Sequence, residues 1–159
     1  MTRLDLNALR NAFPLEPIPK SSELTESFGA DVDDDLSVLR GRSWDALAPQ
    51  DFRFHFEVVC WLSPKAFRYY LPSIIKCSLE ELDSDNSLSE TELVVDYTLR
   101  MLVKAESEKI ENRCQSIWNS FSADQMMVVR RWIEVLATCP DALPLSAESL
   151  ITAINLRLD

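Results

Sequence analysis

A chain of 159 residues, 47% of them apolar and only two of them glycine (Gly29 and Gly41), is long enough for one domain with a sizeable core. So little glycine argues against hairpin-rich β folds, Rossmann domains and P-loops, which need it for positive φ or close backbone approach, and leaves an all-α domain as the expectation. The net charge of −10 sits in two stretches, residues 16–35 with seven acids and one lysine and residues 80–92 with six acids and no base, which argues against nucleic acid and for a basic partner.

Taken in order, the pattern predicts a first helix over residues 2–13, capped by Thr2, with Leu6, Leu9 and Phe13 on one face. Pro14 ends it. Pro14, Pro17 and Pro19 then give a semi-rigid connection, and residues 14–33 read as an acidic, proline-containing loop within a single domain spanning 1–159. A short helix is expected around 34–40, stopped by Gly41. Pro49, Gln50 and Asp51 open a helix predicted to reach Leu62. Ser63 and Pro64 restart the chain as cap and first helical residue, with Phe67, Leu71, Ile74, Ile75 and Leu79 as a buried stripe.

Pro72 lies inside that stripe, where it removes a backbone hydrogen bond, so the central helix is expected to kink or to divide in two. Ser89 and Glu92 read as a capping box before a helix carrying Leu93, Val94, Tyr97, Met101 and Leu102. Residues 104–116 are too charged to assign as helix or loop. Ser122 and Gln125 form a second capping box, opening a helix with Met126, Val129, Ile133 and Leu136. Pro140 and Pro144 end that region, and Ser146 caps a last helix with Leu150, Ile154 and Leu158. The sum is six or seven helices in an all-α domain, with 49–62 and 64–82 packed against 90–103 and 123–138.

Catalytic and metal signatures are sparse. The one histidine, His55, stands between Phe54 and Phe56 and reads as a packed or surface residue, and the four cysteines lack zinc spacing. Asp31, Asp33 and Asp35 mimic the opening of a calcium loop, but Leu36 and Arg42 stand where its glycine and glutamate belong. The serines Ser63, Ser89, Ser122 and Ser146 occupy cap positions, none with a nucleophile-elbow context. No metal, cofactor or catalytic residue is therefore expected. Cysteines in apolar runs and the lack of a secretory signal point to a cytoplasmic protein. The longest wholly apolar run, Val58 to Leu62, falls far short of the roughly 20 residues of a membrane-spanning helix.

Several blocks carry a resemblance. They are Ala12-Phe13-Pro14, Trp44, the run from Leu62 through Pro72 (Leu-Ser-Pro-Lys-Ala-Phe-Arg-Tyr-Tyr-Leu-Pro), and Phe121-Ser122-Ala123-Asp124-Gln125. Over about residues 9–137 the chain resembles a bacterial family known only as a domain of unknown function. That family supplies no catalytic residues; the resemblance implies a small, helical, cytoplasmic bacterial protein.

The function these features suggest is non-catalytic binding of a basic protein, concretely an immunity protein that neutralises a toxin. Its contact residues are expected to be Asp31, Asp33, Asp34, Asp35, Glu80, Glu81, Asp83 and Asp85, with acids steering the encounter. The alternative is a small hydrolase or regulatory enzyme with a site near His55 and Arg68.

Overall fold

Ser63 and Pro64 begin the longest helix among the described residues, and much of the rest packs on it. The structure is a computed structural model that describes residues 4–102, 108–139 and 147–158. In chain order the helices are α1 (Leu6–Ala12), α2 (Ala30–Ser37), α3 (Val58–Trp61), α4 (Pro64–Asp85), α5 (Glu92–Leu102), α6 (Glu108–Ser120), α7 (Ala123–Leu136) and α8 (Ala147–Leu158). Single 3-10 turns lie at Ser21–Glu23, Trp44–Ala46 and Pro49–Phe52. Among the described residues there is no strand, only an isolated antiparallel bridge between Thr25 and Leu62. The expected all-α domain is what forms.

Helix α4 starts as its sequence dictates. The Ser63 hydroxyl accepts from the Ala66 amide at 3.2 Å, and Pro64 fills the first helical position, where its missing N–H costs nothing. The helix then runs unbroken through Pro72, so the division into two short helices does not occur. Phe67, Leu71, Ile74 and Ile75 are buried as the stripe requires, and each such side chain taken out of water contributes about 1.5–3 kcal/mol. The largest fully buried side chains are Trp44, Trp118, Trp132, Tyr70, Phe52 and Phe67. Helix α4 touches α5, α6 and the 3-10 turns at 44–46 and 49–52; α3 lies on α2 and α5, and α7 on α1 and α8. The Trp132 indole ties α7 to α4 through the Ser78 hydroxyl at 3.0 Å.

The non-helical stretch between α2 and α3 is held by side chains of α4. The Tyr70 hydroxyl donates to the Leu39 and Arg42 carbonyls at 2.9 and 3.0 Å. The Lys76 ammonium donates to the Asp45 and Leu47 carbonyls at 2.8 and 2.9 Å. From the same stretch, the Trp44 indole donates to the Phe13 carbonyl at 3.1 Å. All four cysteines are free; burial pushes the Cys77 thiol up to about 12.

Several boundaries differ from expectation. The predicted helix 49–62 is a 3-10 turn followed by the single turn α3. The opening is capped as a helix start should be, with the Asp51 carboxylate accepting from the Ala48 amide and the Arg42 guanidinium, but the turn is not continued beyond Phe52, and His55 is placed beside Asp35 of α2. Residues 30–33, expected as loop, open α2, because Val32 and Leu36 bury one face while Asp31 and Asp33 sit in the first turn, where the helix dipole favours acid. Gly29 precedes it at φ 140°, a conformation closed to side chains. Asp5 caps α1; the expected cap Thr2, and likewise Pro140, Pro144 and Ser146, lie outside the described residues. Of the unassigned 104–116 stretch, residues 108–116 are helical and 104–107 lie outside the described residues.

The Ser89–Glu92 capping box is replaced by a longer-range cap. Glu81 of α4 is 5% exposed and accepts from the amides of Ser89, Glu90 and Thr91 and the hydroxyls of Ser89 and Thr91. Ser89 and Glu90 lead into α5 and Thr91 stands just before its first residue, where its carbonyl takes the first backbone bond from Val95, and the helix dipole there favours a carboxylate. Glu81 was expected as a partner contact; its burial makes it a structural residue instead. Burial alone raises its pKa, but the hydrogen bonds from Thr91, Glu90 and Ser89 outweigh this and hold it below the ordinary 4.5. The stabilisation is therefore present above that value and lost as pH falls through the folded-state value. Glu81→Ala is expected to cost about 2–4 kcal/mol in urea unfolding at neutral pH. Thermal melts in acid check the linkage: the melting temperature of the wild type should fall more steeply below pH 4.5 than that of Glu81→Gln.

Candidate functional site

The segment before α2 and the end of α3 are joined edge to edge. The Ser63 amide donates to the Leu24 carbonyl at 2.8 Å, and the Thr25 hydroxyl donates to the Trp61 carbonyl at 2.5 Å. Arg113 of α6 donates to the carbonyls of Val59, Cys60 and Leu62, fastening the C-terminal end of α3, where acceptors lack intrahelical partners. This frame sets Trp61 against α2. Its indole donates to Asp35 Oδ2 at 2.9 Å, while His55 Nδ1 lies 3.3 Å from Asp35 Oδ1.

Between these parts opens a cleft of about 790 Å³. Its walls include Asp31, Asp34 and Asp35 from α2, Glu57 and Trp61 from α3 and its cap, and Phe28 from the connecting loop. None of its lining residues is basic. Phe28 is 97% exposed, an unusual position for a large aromatic ring. Four carboxylates on one concavity attract cations, and the two aromatic rings supply apolar area beside them.

The acids expected at the interface do not form one surface. Asp31, Asp34 and Asp35 share the α2 cleft. Asp33 is turned to Arg40 at 2.9 Å. Glu80 is exposed and stands 3.8 Å from Lys76, Asp85 is exposed at the end of α4, and Asp83 lines a separate hollow with Leu79, Leu82 and Asn86. Glu81 is buried, as described above. Nor are His55 and Arg68 brought together. Arg68 donates to the Ser120 carbonyl at 2.9 Å and lines a groove of about 330 Å³ with Phe13, Lys65, Tyr69 and Gln125.

Sequence reasoning missed Phe28, Glu57 and Trp61 as parts of the site. The available signal was Phe28 itself, the one aromatic in the acidic stretch of residues 16–35, set between Ser27 and Gly29.

Comparison with protein families finds a match over residues 20–149 to the family of unknown function DUF6714. The chain belongs to that family. The matched region contains α2 to α7 and hence every residue of the cleft. No curated protein and no solved structure matches this member of DUF6714.

The cleft acids separate into structural and free ones. Asp35→Ala leaves the Trp61 indole without its acceptor and removes the carboxylate beside His55, and is expected to cost about 1–3 kcal/mol. Asp31→Ala and Asp34→Ala should each cost less than about 1 kcal/mol. Equal losses for all three in urea denaturation would sink the distinction.

Proposed function

We propose that the protein is a non-catalytic binding module for a basic protein partner, and that the α2 cleft is where the partner docks. The observation that carries this reading is a cleft whose charged residues are all acids, edged by the exposed ring of Phe28. Acidic charge accelerates encounter with a basic surface, and an aromatic anchor in the centre of an interface supplies much of the residence time. In its concrete form the protein is an immunity protein that occludes a toxin in the bacterial cytoplasm. The overall charge of −10 supports long-range attraction of such a partner.

Asp31 and Asp34 are the contact acids of the original set best placed for this role, with Glu57, Phe28 and Trp61 added to them. Asp83 and Asp85 are assigned no part in it. No helix among the described residues is long and apolar enough to cross a membrane.

The test begins with a pull-down from the native cell at low and high salt, which identifies the partner. With partner in hand, the double variant Asp31→Lys/Asp34→Lys is expected to slow association by about tenfold or more at low salt and to flatten its salt dependence. Phe28→Ala should speed dissociation while leaving stability within about 0.5 kcal/mol, because the ring is already in water. Unchanged kinetics in both variants would reject the cleft as the docking site.

A further inference from the structure

Asp34, Asp35 and His55 each offer one ligand atom, and these three atoms lie within 4.8 Å of one another. They come from two elements, α2 and the turn before α3, so the grouping is a product of the tertiary fold. We propose that they form a binding site for a zinc-class divalent cation at the wall of the α2 cleft.

The donor chemistry suits such an ion. One imidazole nitrogen and two carboxylate oxygens are a borderline set that zinc takes readily, in preference to the oxygen-only cages of calcium and magnesium. The geometry points the same way. His55 Nδ1 and Asp35 Oδ1 are 3.3 Å apart, longer than the roughly 2.7–2.9 Å of a charge-assisted hydrogen bond. Two ligands on a tetrahedral zinc, each bonded at about 2.0–2.1 Å, lie about 3.3–3.4 Å from one another.

The surroundings are also those of a built metal site. Asp35 is only 14% exposed in its side chain, and its second oxygen is held by the Trp61 indole at 2.9 Å. A hydrogen bond from outside the ligand set fixes the carboxylate that receives it, as partners of metal ligands commonly do. Asp34 is exposed and lines the cleft, so solvent gives the ion a path of entry. Three protein ligands leave a fourth position for water or for a donor from a bound molecule. The proposal stands apart from the partner reading, because it is tested on the isolated protein.

The experiment uses the full chain stripped with chelator and titrated with zinc chloride by calorimetry. His55 is the one histidine in the sequence, so the imidazole signals in a nitrogen-15 spectrum belong to it alone. One zinc per chain, a shifted His55 ring and a raised melting temperature are expected. His55→Ala and Asp34→Asn should each weaken binding by about tenfold or more. Asp34→Asn changes an exposed side chain, and its metal-free melt shows whether the fold is kept. No saturable binding overturns the proposal. So does binding that leaves the ring signals unmoved, or that survives both variants and is lost in Cys60→Ser or Cys139→Ser.

Discussion

The structure depends on one constraint: peptide carbonyls that leave a helix and run against the core must still find donors. Residues 38–57 contain no α-helix, yet they cross the buried face of α4. Their carbonyls are met by side chains reaching from that helix, Tyr70 to Leu39 and Arg42, Lys76 to Asp45 and Leu47. Arg113 does the same for the end of α3, Arg68 for the end of α6, and Gln125 for the Ala12 carbonyl at the end of α1. An all-helical fold with long irregular connections therefore needs long polar side chains inside it. This explains why α4 mixes Tyr, Lys and Ser with its apolar stripe.

The same constraint sorts the acids. Glu81 meets the opposite need, that of amides leading into a helix, and Asp35 accepts from the Trp61 indole with His55 Nδ1 beside its other oxygen. These are carboxylates used as acceptors, Glu81 in the interior and Asp35 partly buried at the cleft wall, where they are worth more than on the open surface and costly to remove. Asp31, Asp34 and Glu57 instead line the cleft. One sequence feature, a run of acid, thus covers two physical roles.

Helix starts and the apolar stripes were legible because each is a local matter. Ser63 with Pro64 and Ser122 with Gln125 act over three residues, and both caps form as read. Phe67, Leu71, Ile74 and Ile75 follow from helical spacing. The misreadings are non-local. Glu81 caps a helix ten residues ahead through Thr91, and no spacing rule covers that distance. His55 meets Asp35 across 20 residues, within the stretch expected to be helical at 49–62. The cleft was legible only as an acidic stretch, since its shape depends on the pairing of Thr25 with Leu62 and on Arg113, 51 residues beyond Leu62.

The placement of the tryptophans gives the cleft an optical consequence. Trp44, Trp118 and Trp132 are at most 1% exposed, shut off from solvent quenchers, while Trp61 is half-buried at the cleft wall with its indole on Asp35. Whatever enters the cleft therefore changes the surroundings of one fluorophore out of four and leaves the other three as an internal reference. The molecule carries its own dye at the place where occupancy matters, with no label to attach.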